Sequence, residues 1–163
     1  MRCRIPDQDW KRNMRTTLLA PLLSLILITS VLAAEHEHSQ NAGASMSTKN
    51  TVEGYFIALK QGKGWETFLS DDGMMFTSFT SPVKQVTGKA AYLEATKRFY
   101  TMIISVQVRD LIVEADKACA LTSYELQPPA GNRFTSDVAE IFTVRNGKID
   151  SLAIYFDRSP FPK

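Results

Sequence analysis

The sequence predicts an α+β domain in which a curved antiparallel sheet is wrapped round N-terminal helices to form a cone with an apolar pocket. Three observations support this prediction. Apolar residues recur at helical spacing in 52–59 and again in 92–102. Four runs of alternating polarity then follow between residues 106 and 157. Early helices followed by a meander of strands are typical of helices packed on one face of an antiparallel sheet.

Residues 1–34 are predicted to be a signal peptide. Two arginines precede an apolar run from Leu18 to Ala34, and small residues end that run. Cleavage is expected after Ala33 or Ala34, and Met14 is an alternative true start. The run also approaches a membrane-spanning length, so an uncleaved anchor is the other interpretation. With cleavage, the protein is expected to be periplasmic or secreted and not attached to the membrane.

The basic charge of the chain belongs to this leader. The chain carries 19 Lys and Arg against 17 Asp and Glu, and the leader holds five of the basic and two of the acidic residues. The remainder therefore has 14 basic and 15 acidic residues, a net charge of −1. That balance gives no electrostatic reason to expect a nucleic-acid partner.

Residues 35–49 are polar and aperiodic and are predicted to be a disordered linker, which leaves 50–163 as the domain. Asn50 with Glu53 three residues later predicts the start of the first helix, and Gly62 its end. The sequence then predicts, in order, a helical turn at 65–69, a strand at 74–80, a loop at 82–86, a second helix capped by Thr87, and a strand at 106–115 with a bulge near Arg109 and Asp110.

The pair Asn146-Gly147 lies between two β-prone runs and predicts a type I′ hairpin. With a period of two, the more apolar face of each strand is expected to point inward. These faces consist of Val138, Glu140, Phe142 and Val144 on the first strand and Leu152, Ile154 and Phe156 on the second. A carboxylate, Glu140, therefore lies on an otherwise apolar wall.

Metal-binding and histidine chemistry are not expected within the domain. Both histidines, His36 and His38, lie in the predicted linker. Cys3 belongs to the leader, so Cys119 stands alone and is interpreted as a small buried strand residue. We therefore predict no metal site and no cofactor.

Several motifs resemble the nuclear transport factor 2-like superfamily, and its SnoaL-like branch in particular. They are Tyr55 in the first helix, Asp71-Asp72-Gly73 before a strand, Val86-Thr87-Gly88-Lys89 opening the second helix, and the segment from Arg145 to Asp157. The similarity covers about residues 50–161. It implies the cone-shaped fold and a pocket, but the superfamily contains both enzymes and non-catalytic binding modules, so it does not fix the chemistry.

The resemblance also implies site residues, by a distant similarity to ketosteroid isomerase. Tyr55 and Glu140 match that enzyme's two oxyanion-hole donors and are the candidate catalytic residues. Thr77 stands at the position of the proton-abstracting aspartate, and a hydroxyl without a partner base cannot abstract a carbon-bound proton near neutral pH. The candidate ligand-binding residues are Thr77, Phe99, Phe142, Leu152, Ile154 and Phe156.

Two functions follow as alternatives. The first is an exported domain that binds a small apolar molecule in the conical pocket. The second is a cofactor-independent isomerase, cyclase or hydrolase that acts on a polyketide-, terpene- or steroid-like substrate through Glu140 and Tyr55. A homodimer is expected through the outer face of the sheet, which carries Ala139, Ile141, Thr143, Ala153 and Tyr155.

Overall fold

The computed structural model describes residues 27–80 and 82–161, with side chains described from residue 43 onward. In that part of the chain two α-helices, a short 3-10 helix and six strands follow in the order α1 (Leu27–Lys60), the 3-10 helix (Trp65–Phe68), β1 (Met75–Ser78), β2 (Lys84–Thr87), α2 (Lys89–Met102), β3 (Ile103–Glu114), β4 (Lys117–Leu126), β5 (Phe134–Arg145) and β6 (Lys148–Phe156). The predicted α+β class is confirmed.

The six strands form one sheet in the order β2-β1-β6-β5-β4-β3. Strands β3 to β6 pair as antiparallel neighbours, as predicted. Strand β1, however, pairs with β6 in parallel, with Phe76 opposite Leu152, so the sheet is mixed and not wholly antiparallel. Between β1 and β6 the chain passes through β2, α2 and three further strands, and local sequence patterns carry no signal for so distant a pairing.

The predicted hairpin is confirmed in the turn between β5 and β6. Asn146 and Gly147 have φ angles of 51° and 72°, the positive values that a type I′ turn requires. The predicted bulge in β3 is also confirmed, because the register with β4 shifts between Val108 and Asp110. The shift changes which residues face inward, from Val106 before the bulge to Leu111 after it.

The first helix begins earlier than predicted. The backbone is α-helical from Leu27, so the prediction of a disordered linker over 35–49 and of a helix starting at Asn50 is wrong. Two hydroxyls before Asn50 explain part of this order. Ser45 Oγ accepts a hydrogen bond of 2.8 Å from the backbone N–H of Ala115, and Thr48 Oγ1 donates one of 2.8 Å to its carbonyl. They fix α1 to the turn between β3 and β4. The predicted leader lies largely outside the described residues.

Two smaller predictions are corrected around β2. A loop was expected over 82–86, but residues 84–87 form a strand. All four of its residues pair with the four residues of β1. Thr87 belongs to that strand and does not cap α2. Gly88 precedes the helix without a side-chain cap, and its N–H donates a 2.7 Å hydrogen bond to the carbonyl of Met74.

Both helices pack on the same side of the sheet as the predicted inward faces. Helix α1 contacts β3, β4, β5 and β6, and α2 contacts β1 and β2. The predicted apolar face of α1 is fully buried in the core, with Val52, Tyr55, Phe56 and Leu59 at 6% exposure or less. Among the described residues, none of the helices offers a stretch long and apolar enough to cross a membrane.

Candidate functional site

A cavity of about 390 Å³ lies between α2 and the inner faces of β1, β4, β5 and β6. Its exposed lining residues mark the open mouth and consist of Pro82, Lys84, Ala95, Arg98 and Arg158. Its buried lining residues mark the closed end and include Phe76, Tyr92, Tyr124, Val138, Glu140 and Leu152. A cavity of this size, mostly apolar with a few polar groups, is typical of small-molecule sites.

The carboxyl group of Glu140 is the polar centre of this wall. The side chain is 3% exposed. Its Oε1 atom is 2.7 Å from the hydroxyl of Tyr124 and 2.8 Å from the hydroxyl of Thr122, both on the neighbouring strand β4. Within the described residues, Oε2 makes no hydrogen bond and no arginine or lysine pairs with the carboxyl group. One carboxyl oxygen is therefore left for a ligand.

Thr122 allows this carboxyl group to be either charged or neutral. Its hydroxyl lies 2.8 Å from Glu140 Oε1 and 3.1 Å from the backbone oxygen of Val138. A hydroxyl has a single proton and can donate it to only one of these two acceptors. When it donates to Val138, a proton on Glu140 Oε1 can be donated to Thr122. Protonation of Oε1 thus reverses the direction of the hydrogen bond between Thr122 and Glu140 without breaking it.

Burial raises the pKa of Glu140 from its ordinary 4.5 to about 7. The loss of hydration is the main cause, since it disfavours the charged form. The hydrogen bonds from Tyr124 and Thr122 favour the carboxylate and hold the pKa lower than burial alone would. A carboxyl group with such a pKa exchanges its proton readily near neutral pH, as a general acid or base must.

Three tyrosine hydroxyls form a chain beside the cavity. Tyr100 lies in the middle, with its hydroxyl 2.9 Å from that of Tyr55 and 2.5 Å from that of Tyr92. Burial raises the pKa of all three well above 10, with the neighbouring groups adding to the shift. They are therefore neutral hydrogen-bond donors at physiological pH, and two of them, Tyr92 and Tyr100, line the cavity.

Five of the eight residues predicted for the site line the cavity: Glu140, Phe99, Leu152, Ile154 and Phe156. Tyr55 and Phe142 do not. Both are 0% exposed and pack edge to face in the core, with ring centroids 5.8 Å apart. Tyr55 reaches the cavity through its hydrogen bond to Tyr100, which lines the cavity, so its predicted position as a direct ligand contact is corrected.

Thr77 also does not line the cavity. Its neighbours in β1, Phe76 and Ser78, do so, and successive residues of a strand point to opposite faces. Its position was found by counting forward from the turn at Asp71, and an error of one residue in such a count exchanges the two faces of a strand. Ser78 is therefore the hydroxyl that β1 presents to a ligand.

Sequence reasoning missed the hydroxyls that hold Glu140. The signal was available in β4, where Thr122 and Tyr124 alternate with exposed residues in the same way as the predicted inward face of β5. It also missed Tyr100, which adjoins Phe99 in α2 but lies off the apolar face formed by Tyr92, Ala95, Phe99 and Met102. A helix of this amphipathic kind can line a cavity with more than one of its faces.

Comparisons with known proteins agree with this geometry. The family model for the SnoaL-like domain matches residues 52–152. No curated protein matches the chain. One similar solved structure, from Kribbella flavida, is 22% identical with a TM-score of 0.58, and the match covers 69% of this chain and 88% of that one.

Two further structures are informative at lower identity. A protein from Jannaschia sp., described as a SnoaL-like polyketide cyclase, is 15% identical with a TM-score of 0.60, and the match covers 70% of this chain and 88% of that one. A protein with a ketosteroid isomerase-like fold from Catenulispora acidiphila, in complex with trimethylamine, is 18% identical with a TM-score of 0.56, covering 67% and 86%. At these identities the structures establish the fold alone. The family match, which covers residues 52–152, shows that this chain belongs to the SnoaL-like domain family.

Proposed function

We propose that the protein binds a small, largely apolar molecule in the cavity, with the carboxyl group of Glu140 as its polar anchor. The observation that carries this proposal is a buried carboxyl group on an apolar wall whose Oε2 atom makes no hydrogen bond to the described residues. A carboxyl group in an apolar wall is poorly hydrated, so a ligand that supplies a donor or acceptor at Oε2 would bind favourably there. The aromatic and aliphatic lining would bury the apolar body of that ligand.

The neutral fluorescent probe N-phenyl-1-naphthylamine tests this proposal. We expect one molecule to bind per chain with enhanced fluorescence. Ala95 lies at the mouth and lines the cavity, so Ala95→Trp places an indole ring in the path of the probe. The variant is expected to bind the probe at least about tenfold more weakly, because it loses roughly 1.4 kcal/mol or more of apolar contact.

Ala91→Trp is the matched control. Ala91 is exposed, lies one helical turn earlier in α2 and does not line the cavity. The Ala91→Trp variant is therefore expected to bind the probe with the affinity of the wild type. The melting temperatures of both variants are measured in the same buffer to verify folding. Equal weakening by the two substitutions, or no binding by the wild type, would contradict the proposed cavity site.

A second candidate function is acid–base catalysis at Glu140. It is favoured by the pKa of about 7 of a carboxyl group that lines the cavity. An ionised Glu140 would accept a proton from an acidic carbon of the substrate and return it to another carbon, which isomerises an enone without a cofactor. With Tyr100 donating to Tyr92, the Tyr92 hydroxyl would donate its own proton in a hydrogen bond to the oxygen on which negative charge develops.

Turnover of a cyclic enone separates this candidate from simple binding. Catalysis predicts a rate that falls by at least about 100-fold in Glu140→Gln, the lower end of the usual contribution of a general base. Cys119→Ser, on the opposite face of the sheet, is expected to retain the wild-type rate. Turnover of the enone at the same rate by wild type and Glu140→Gln would rule out a catalytic role for the carboxyl group.

We also propose a homodimer through the outer face of the sheet. Leu121, Ile141 and Tyr155 lie on neighbouring strands and are 39–46% exposed, and Phe79 stacks on Tyr155 with ring centroids 4.6 Å apart. A contiguous exposed apolar patch is typical of an interaction surface. A second copy is the occupant proposed, because the nearly neutral domain has no charge that would prevent self-association.

Light scattering after size exclusion measures the mass of this assembly. Wild type is expected to elute as a dimer, and Ile141→Lys as a monomer, since the substitution places a charge in the centre of the patch. Ile57→Lys, at a 58% exposed position on α1, is expected to leave the dimer intact. A monomeric wild type at micromolar concentration would refute the proposed interface.

Export with cleavage after Ala33 or Ala34 remains our proposal for the leader. Either cut precedes Ser45 and Thr48, so it preserves the contacts that fix α1 to the sheet. The intact mass of the protein recovered from the periplasm or medium of the expressing cell measures the cut. A mass that includes residues 1–33 would contradict it.

A further inference from the structure

The cationic side chains of the cavity wall are concentrated at its mouth. Lys84 comes from β2, Arg98 from α2 and Arg158 from the segment after β6. All three are exposed, and all three line the cavity. Three elements that are distant in sequence thus bring positive charge to one rim.

Acidic side chains do not balance this charge within the described lining. The only carboxyl group there is that of Glu140, which lies at the buried end. In the described part of the chain, neither Lys84 nor Arg98 forms an ion pair. Lys84 and Arg98 therefore give the mouth positive charge that no ion pair among the described residues cancels, and a ligand of opposite charge would be attracted to it.

Ser136 adds a second polar point inside the cavity. It is 2% exposed and lines the cavity, and its hydroxyl makes no hydrogen bond to the described residues. It lies on the same face of β5 as Glu140 and four residues earlier, which is roughly 13 Å along a strand. A buried hydroxyl without a partner is uncommon and indicates a group that a ligand completes.

From this arrangement we propose that the ligand is an acidic amphiphile. Its apolar body occupies the cavity, and its anionic group lies at the mouth beside Lys84, Arg98 and Arg158. A polar atom part of the way along the body meets the hydroxyl of Ser136. The inference rests on the proposed binding function and adds the charge and the orientation of the ligand to it.

Decanoate and decanol form a matched pair of probes that differ only in the head group. The affinity of each is measured by its displacement of N-phenyl-1-naphthylamine from the protein at pH 6, where decanoate is largely ionised. We expect decanoate to bind about three- to tenfold more tightly than decanol, the range for partly exposed charge-assisted contacts. The preference is expected to shrink when the salt concentration is raised from about 0.01 M to 0.5 M.

Arg98→Gln is expected to lower the affinity for decanoate more than the affinity for decanol, and so to abolish most of the preference for decanoate. Lys84→Gln provides an independent second variant with a smaller effect in the same direction. Lys97→Gln is the control, because Lys97 is the neighbour of Arg98 in α2 and does not line the cavity. It removes the same charge from the same helix, so the net charge of the protein is matched.

The outcomes separate this inference from the proposed function. Equal affinity for decanoate and decanol in the wild type, or equal effects of Arg98→Gln and Lys97→Gln, would overturn the acidic amphiphile and leave the apolar site intact. If N-phenyl-1-naphthylamine binds with no sensitivity to Ala95→Trp, the cavity site itself fails. A preference for decanoate that is lost in Arg98→Gln, reduced in Lys84→Gln and retained in Lys97→Gln supports the inference.

Discussion

Replacing Phe142 by alanine is expected to lower the free energy of unfolding by about 3–5 kcal/mol. The ring is 0% exposed and lies at the centre of an aromatic cluster. Its centroid is 5.8 Å from those of Tyr55 and Phe56, both in edge-to-face geometry. Alanine removes the transfer free energy of the ring and leaves a cavity that closes only if helix α1 and strand β5 move closer together, which the surrounding close packing resists.

Urea unfolding, followed by circular dichroism, measures this loss. Ile57→Ala is the control, because Ile57 is 58% exposed beside Phe56 on α1, and its truncation is expected to change stability by less than about 0.5 kcal/mol. The result also tests the placement of Phe142. If the ring contacted a ligand as the sequence analysis expected, truncation would reduce probe affinity while costing much less stability.

The hairpin and the inward position of Glu140 could be predicted because both depend on neighbours in sequence. Asn146 and Gly147 tolerate positive φ and join β5 to β6, whose register shifts once, between Thr143 and Val144. The extra residue at this shift lies on β6, so alternation along β5 still determines the face on which Glu140 lies. The bulge near Asp110 was predictable for the same reason, as a local change of phase.

The parallel pairing of β1 with β6 and the strand β2 could not be predicted in this way. Each depends on a partner supplied by the folded sheet, and β2 is a four-residue edge strand with little apolar pattern of its own. The start of α1 was missed because residues 35–49 have no helical periodicity. Their order depends partly on Ser45 and Thr48 reaching the turn at Ala115, which is distant in sequence.

The candidate site was predicted in part for a related reason. Periodicity identifies which residues face inward, but it does not distinguish a core position from a cavity wall. Phe142 and Glu140 share one face of β5. Phe142 packs against Phe56 of α1, whereas Glu140 lines the cavity. That distinction depends on where the helices end relative to the sheet, which is a tertiary property.

Glu140 is expected to make the stability of the protein fall as the pH rises from about 4.5 to 7. The folded-state pKa of about 7 lies above the ordinary value of 4.5 that applies when the chain is unfolded. Between these values the folded protein holds a proton that the unfolded chain has lost, so each rise in pH favours unfolding. Below pH 4.5 the full stabilisation is present, and above pH 7 it is gone.

The difference between the folded-state pKa of about 7 and the ordinary 4.5 corresponds to roughly 3 kcal/mol over the whole window. Glu140→Gln removes the titrating group while keeping an oxygen that can accept hydrogen bonds from Tyr124 and Thr122. As the pH rises from 4.5 to 8, the wild type is therefore expected to lose about 3 kcal/mol of unfolding free energy relative to Glu140→Gln. Other carboxyl groups cancel in this difference, including Asp71, whose lowered pKa acts at more acidic pH.

Glu53→Gln serves as the control, because Glu53 lies on the exposed face of α1. It is expected to reproduce the wild-type pH dependence, measured by urea unfolding at half-unit intervals of pH. Parallel profiles for wild type and Glu140→Gln would mean that the carboxyl group is hydrated and ordinary in the folded protein. Both proposed roles of Glu140, as polar anchor and as acid–base group, would then be contradicted. If instead the wild-type profile diverges from that of Glu140→Gln below pH 7, Glu140 is a protonated acid in the wall of the cavity that exchanges its proton near neutral pH.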